Sequence, residues 1–533
     1  MSNLKIGETI KSTADWIIER LLYPFKHDLP YFIFLWFITG ADPIYEQIQF
    51  RLFGRACFIA LLYYLLAYII TVLLNVSQTI GKIFKPIVLS ISACFLIFNT
   101  YLSLVHHCRL SLNIVEVLAN TNPNEIKEYA QMYFSFKTIA IFTLSFSVII
   151  LTYILTKKIK DDYYKKLYII PSIGLLFAIC AMCYFPTLIR EEFITQNTVT
   201  WVKHQMMVGM RKHIAQPKIS FCENNTLPAN VITIIGESFS LFHSSLYGYD
   251  KQTNPLLKEM YDDGDLIVFN RVTSPATMTI AVFTYILNTR KLGMENECEW
   301  YESPTVIDVM NSANYHTVWL SNQEQFAYID NLPSRNSKLC DDFVFTTEDA
   351  DGNKFDGALT DIDICDSNRH NAVFYHLNGQ HFVFSERYPK EYDIFQPYEY
   401  KDQQGDVKII AQYDNATLYN DYVVSSIINK YKDTDAIVFY VPDHGLDIYY
   451  TDPKYCGHAT AAPESQAICK KIPFMVYLSP LYQQLRPELT ERIKSSIDNE
   501  FCTDKLIYAV MDAARLKFAD NDDVAIYSIF SKH

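Results

Sequence analysis

Residues 230–238 read NVITIIGES, a run dominated by β-branched side chains that closes on Gly236 and then on a carboxylate, Glu237. Branching at Cβ stiffens χ1 and suits a pleated strand. A run that is apolar throughout, without alternation, belongs to a strand buried on both faces, as in a parallel sheet covered by helices. Four further runs of this kind follow at 317–320, 371–376, 436–441 and 474–478, with helix-length stretches such as 411–431 between them. The alternation predicts an α/β domain with a largely parallel central sheet. In such sheets ligands collect beyond the carboxyl ends of the strands. There the chain places Gly236-Glu237-Ser238 after one strand and Pro442-Asp443-His444 after another. Two carboxylates and an imidazole are three O/N donors, which suits zinc with a fourth position open. Alone, an Asp-His pair at a strand end reads equally as a hydrogen-bonded turn.

Outside this domain the 533-residue chain changes character. Its first 200 residues hold 17 Lys+Arg against 13 Asp+Glu, a balance of +4, and the remainder holds 29 against 46, a balance of −17. An acidic globular part argues against nucleic acid, which wants a basic stripe, and against plain adsorption to anionic lipid. The first part contains five apolar runs, near 29–45, 56–74, 86–105, 139–155 and 167–185. About 20 such residues cross a bilayer as a helix, so five spans are expected. The first is short and ends in Asp42-Pro43. It starts well inside the chain with no small-residue cleavage site after it, so it is expected to stay as an anchor. Lys157, Lys158, Lys160, Lys165 and Lys166 crowd the connection between the last two runs and place it in the cytoplasm. An odd number of spans then puts the C-terminal part outside.

The polar connection 106–136 has helical spacing and reads either as an amphipathic helix on the outer membrane surface or as a solvated connector. The amphipathic stretch 190–215 reads as a helical bridge. The expected organisation is a transmembrane domain at 1–189, a bridge at 190–220 and a catalytic domain at 221–533. Seven cysteines fall in the outer part, where disulfides persist, and an odd number leaves at least one unpaired.

Four segments taken in order, 231–255 (VITIIGESFSLFHSSLYGYDKQTNP), 272–283 (VTSPATMTIAVF), 374–381 (FYHLNGQH) and 441–445 (VPDHG), resemble the phosphoethanolamine transferases of Gram-negative envelopes, members of the alkaline phosphatase/sulfatase superfamily. That family has a strand leading to Gly-Glu-[Ser/Thr], then Gly-Tyr and Thr-x-Pro, matched here by Gly248-Tyr249 and Thr253-Asn254-Pro255. The family also carries five spans before its external domain, so the resemblance implies an alkaline-phosphatase-like domain in the periplasm and a multi-pass anchor in the bacterial inner membrane.

The resemblance implies that Glu237, Asp443 and His444 bind a catalytic zinc, with a nucleophilic threonine as fourth ligand. Thr279, in Thr277-Met278-Thr279, matches the pattern, except that Ile280 replaces the usual Ala, which keeps Thr277 as an alternative. It further implies double displacement from phosphatidylethanolamine onto lipopolysaccharide (lipid A or core) or a periplasmic glucan. His381 and His458 would contact the transferred phosphate or a second zinc, and His376, at a strand end, reads as a substrate contact or a core histidine. Pro275-Ala276 stands where better-known members have a disulfide-forming Cys-Gly, so one loop staple is missing. Tyr413, Asp414 and Asn415 are read as structural. The Asn415-Ala416-Thr417 glycosylation triplet is a chance match, since nothing else points to a eukaryotic secretory route. The alternatives are a glycerol-phosphate polymerase of the lipoteichoic acid type, a hydrolase of the superfamily, or a membrane-bound binding module without catalysis. A sulfatase reaction is disfavoured, because no Cys or Ser followed by Pro-x-Arg stands near Thr279.

Overall fold

The computed structural model describes residues 16–49, 51–105, 136–157, 169–184, 216–221, 227–293, 300–323, 332–348, 355–458 and 462–531, which fall into two compact units, 16–184 and 216–531. The first unit is helical: α1 (Leu29–Gln49), α2 (Phe53–Leu74), α3 (Gln78–Val105), α4 (Phe136–Lys157) and α5 (Ile169–Tyr184). Phe32, Leu35 and Ile38 of α1 share a core with Tyr64 and Tyr68 of α2. Several polar groups among these helices find internal partners. The Trp36 Nε1–H donates to the Ala60 carbonyl at 3.0 Å and the Tyr64 hydroxyl to the Pro171 carbonyl at 2.7 Å. Lys85 pairs with Asp28 at 2.6 Å.

Outward the same helices show Leu73, Leu144, Phe146, Leu151 and Phe177, all exposed. Large apolar side chains turned out of a bundle that pairs these polar groups internally are what a lipid solvent requires. Among the described residues α2 and α3 are long and apolar enough to cross a membrane, whereas the apolar stretches of α4 and α5, Thr138–Ile154 and Ile170–Ile179, are shorter. α1 carries Pro43 inside it. Two of the five expected spans therefore meet the requirement on length and composition. The expected surface helix at 106–136, except its last residue, the lysine-rich connection beyond Lys157 and the bridge at 190–215 lie outside the described residues.

The second unit is built on a seven-stranded sheet of β1 (Asn230–Gly236), β2 (Leu266–Val268), β3 (His316–Ser321), β4 (Asp342–Phe345), β5 (Asn371–His376), β6 (Ala436–Pro442) and β7 (Met475–Leu478), in the order β2-β7-β6-β1-β5-β3-β4. From β6 to β4 every pairing is parallel. β7 runs antiparallel to both β6 and β2, so the sheet is mixed at one edge. All five apolar runs form strands. β2, with three residues, and β4, half exposed, lack the length or pattern that would mark them.

Alternate residues of β1 enter opposite cores. Val231 and Ile235 pack with Trp319 and Phe439 on one face, and Ile232 and Ile234 with Tyr375 and Val424 on the other. Helices of this unit include α6 (Thr279–Phe283), α7 (Val407–Tyr431), α8 (Pro463–Lys470) and α9 (Leu506–Ala513). α7 begins four residues before the expected 411, because the Asp406 carboxylate accepts the Lys408 N–H and caps it. Cys340, Cys365, Cys456, Cys469 and Cys502 lie outside any disulfide. Cys456 and Cys469 are buried and pack as small apolar side chains.

Candidate active site

Parallel pairing sets Gly236 opposite Pro442, so Glu237 and Asp443 leave the sheet side by side. The Asp443 N–H donates to the Gly236 carbonyl at 3.0 Å. Gly236 is required by close approach, since a Cβ there would stand 2.5 Å from the Tyr440 hydroxyl. Ser238 takes a left-handed backbone, φ 55°, which costs a non-glycine residue roughly 1 kcal/mol. That turn aims the Ser238 N–H at Asp443 Oδ1 (3.0 Å) and its hydroxyl at Glu237 Oε1 (2.6 Å). The His444 N–H donates to the same Asp443 Oδ1 at 2.7 Å. Asp443 Oδ2 is buried without a hydrogen-bond partner, 3.3 Å from His444 Nε2. A buried carboxylate oxygen left unpaired costs free energy that a cation can offset.

Thr279 begins α6, with its hydroxyl 3.3 Å from Glu237 Oε2 and 3.5 Å from His444 Nε2. Thr277 instead contributes its backbone carbonyl, which accepts from His458 Nδ1 at 2.7 Å. Three imidazoles share one arrangement: His444, His381 and His458 bond through Nδ1 to the carbonyls of Gly445 (2.8 Å), Phe382 (2.9 Å) and Thr277. A carbonyl can only accept, so Nδ1 carries the proton and Nε2 keeps its lone pair in each ring. The His458 ring stacks on His444 with centroids 4.2 Å apart.

Burial, and for Glu237 also the neighbouring Asp443 charge, holds both carboxyls above their usual range. Burial pushes His444 down to about 4 and His381 and His458 down to about 3. Two crowded carboxylates beside neutral imidazoles form a donor set without positive charge. Donor atoms of Glu237, Asp443 and His444 all lie within 4.8 Å of one another, so the residues present fit a divalent cation with mixed O/N preference.

His376 sits elsewhere. It ends β5 fully buried, with Nδ1 3.1 Å from the Ser321 hydroxyl, and its ring lies against Phe283 and Trp319. Burial pushes it down to about 3. Its folded pKa lies below the unfolded value of about 6.5. The unfolded chain therefore binds the proton first, and stability is lost as pH falls from about 6.5 toward 3. One such proton is worth at most about 1.4 kcal/mol per pH unit. A His376→Phe chain is expected to show a flatter stability–pH profile in denaturant titrations over this window; an unchanged slope would mean that His376 is protonated inside the fold.

Groups outside the donor set hold the site. The Tyr413 hydroxyl on α7 donates to the Ser238 carbonyl and accepts the Ser240 N–H, both at 2.7 Å, which fixes the turn behind Glu237. Asp356 accepts the N–H groups of Asn378 (2.9 Å) and Gly379 (2.8 Å). Gly379 adopts φ 50°, and a Cβ there would lie 2.8 Å from the Glu237 backbone. Asp414 is buried under His243 Nδ1 and the hydroxyls of Tyr249 and Tyr400, at 2.5 to 2.7 Å. Asn415, also buried, accepts the Ile394 and Phe395 N–H groups, so the glycosylation triplet is closed.

Comparison with known proteins adds to this geometry. The family model described as Sulfatase matches residues 229–516. Phosphoethanolamine transferase EptC of Escherichia coli (strain K12) is 26% identical over 453 residues, covering 77% of this chain and 76% of that protein. The solved integral membrane lipooligosaccharide phosphoethanolamine transferase A of Neisseria meningitidis superposes with a TM-score of 0.64 at 18% identity, over 92% of this chain and 96% of that one. The periplasmic domain of the Escherichia coli EptC, solved in complex with zinc, superposes with a TM-score of 0.51 at 23% identity, over 60% of this chain and 90% of that one.

Proposed function

The chain belongs to the sulfatase family, and from that premise we propose that it transfers phosphoethanolamine from phosphatidylethanolamine to a lipopolysaccharide-type acceptor, with Thr279 as nucleophile. The observation that carries this reading is the Thr279 hydroxyl facing Glu237 and His444 across the rim where Asp443 Oδ2 stands unpaired. The likeness to phosphoethanolamine transferases favours this donor group, and the N. meningitidis protein's lipooligosaccharide favours a glycan acceptor. A zinc ion held by Glu237, Asp443, His444 and Thr279 would lower the pKa of the hydroxyl and polarise the phosphoryl group. The zinc-bound relative supports that choice of metal.

In the first half of the reaction Thr279 Oγ1 gives its proton to an imidazole lone pair at Nε2 of His381 or His458 and bonds to phosphorus, while the bond to the diacylglycerol oxygen breaks and that oxygen takes the proton to leave as the diacylglycerol hydroxyl. In the second, an acceptor oxygen attacks phosphorus, its proton passes to an imidazole lone pair at Nε2 of His381 or His458, and Thr279 Oγ1 leaves. Thr277 stays the alternative nucleophile. The proposal includes five spans, a boundary region at 190–220 between a membrane domain at 1–189 and a periplasmic catalytic domain at 221–533, and a place in the bacterial inner membrane.

The intact mass of the detergent-purified chain from a Gram-negative host tests the donor group. A phosphoethanolamine adduct is expected on the wild type. A glycerol-phosphate adduct would move the chain to polymerases of the lipoteichoic acid type, and a chain without any adduct would leave a hydrolase or a non-catalytic binding module.

A further inference from the structure

Residues 377–382 leave the end of β5 and pack on the rim. The Gln380 N–H donates to the Glu237 carbonyl at 3.0 Å, and the Phe382 ring lies 6.3 Å from that of His458, which in turn stacks on His444. Asp356 holds the amide side of this loop, through Asn378 and Gly379. Arg387 holds its carbonyl side. The turn Phe384–Glu386 closes where the Arg387 N–H donates to the Phe384 carbonyl at 3.0 Å, which returns the side chain to the loop. There Arg387 Nε donates to the His381 carbonyl at 3.1 Å and Nη2 to the Phe382 carbonyl at 2.7 Å. Arg387 is only 8% exposed.

The Phe382 oxygen also accepts from His381 Nδ1, at 2.9 Å. A carbonyl oxygen has two lone pairs. Here one serves the imidazole and the other the guanidinium. Which ring nitrogen of a histidine carries the proton is set by the bond that Nδ1 or Nε2 makes to a neighbouring acceptor. The tautomer of His381 thus depends on the Phe382 carbonyl, and the direction of that carbonyl depends on Arg387. Both guanidinium bonds carry its charge, which makes them stronger than neutral ones. A planar fork spans two acceptors at a fixed spacing, which the point charge of an ammonium cannot do.

We infer that Arg387 is a positioning residue for the transfer: it fixes the Phe382 carbonyl, so that the His381 ring stays protonated at Nδ1 and presents its Nε2 lone pair to the reacting oxygen. The inference rests on the reading of His381 as proton acceptor for its role in transfer, but not for the tautomer.

The test uses the full chain in detergent, with fluorescently labelled phosphatidylethanolamine as donor and lipopolysaccharide as acceptor. Arg387→Met removes both bonds. Arg387→Lys keeps the charge on a point donor and leaves a readable variant if the first does not fold. Both are expected to lower kcat, by about tenfold or more in Arg387→Met, the scale of one hydrogen bond to a charged group. KM for the donor should stay within about threefold. In a His381→Gln background neither change should cost more than about a further twofold, because the group through which Arg387 acts is gone. The same factor in both backgrounds would overturn the inference and leave Arg387 as a support of the loop. Nitrogen NMR of the chain labelled at its histidine rings, with the His381 signals identified by their loss in His381→Gln, reads the tautomer itself. Wild type should be protonated at Nδ1, and Arg387→Met and Arg387→Lys should show a mixture. An unchanged tautomer in the variants would equally overturn the inference. Failure of the transferase reading looks different: no chain transfers phosphoethanolamine, wild type included, yet the His381 tautomer still follows Arg387.

Discussion

Thr279→Ala is expected to lower phosphoethanolamine transfer by on the order of 10³-fold or more, the scale seen when a covalent nucleophile is removed, and to leave no adduct on the chain. The fold should survive, because Thr279 is half-buried at the start of a short helix and its hydroxyl reaches only the site. Zinc should stay bound at reduced affinity, since Glu237, Asp443 and His444 remain. Thr279→Ser keeps the hydroxyl and should retain measurable transfer. Thr277→Ala is the necessary comparison: Thr277 serves His458 through its backbone carbonyl, which alanine preserves, so its rate should stay within a few-fold of wild type. Transfer assays and metal content on the three variants decide the matter. Wild-type turnover in Thr279→Ala, with loss in Thr277→Ala, would move the nucleophile two residues back.

The α/β unit was legible where one residue type dominates a run. β1, β3, β5, β6 and β7 are continuous apolar segments, and burial on both faces leaves no room for polar alternation to blur them. Glu237, Asp443 and His444 could be singled out because strand ends are where such sheets gather ligands. The reversed direction of β7 was not legible, since strand polarity depends on the path of the connection and not on composition.

Nor could local wording reveal what supports the rim. Tyr413 reaches Ser238 across 175 residues, and its motif reads equally as helix core. Asp356 lies in a stretch that names no partner, yet it fixes the Gly379 loop that packs on Glu237. Hydropathy and the family resemblance both pointed to five spans. Length and apolarity carry that reading for α2 and α3, whereas Pro43 in α1 and the shorter apolar stretches of α4 and α5 weaken it.

Asp443→Asn is expected to change stability in opposite directions with and without metal. In the metal-free chain, Glu237 and Asp443 are both fully buried, and the Asp443 charge adds to burial in raising the Glu237 pKa. Asparagine keeps an acceptor at Oδ1 for the Ser238 and His444 N–H groups, and it puts an NH₂ donor where the unpaired Oδ2 now lies. Removing one buried charge next to another should stabilise the metal-free fold by about 1–3 kcal/mol. For a unit of this size that is a rise in Tm of roughly 2 to 5 °C. The same change removes a charged ligand, so added zinc should no longer raise Tm. In wild type, zinc at a thousand times its Kd should add about 4.1 kcal/mol, more than the variant's metal-free gain. Thermal unfolding of both chains, with chelator and with zinc, reads all four states. A variant that melts below wild type in chelator and still gains fully from zinc would show that Asp443 holds the turn and not the metal.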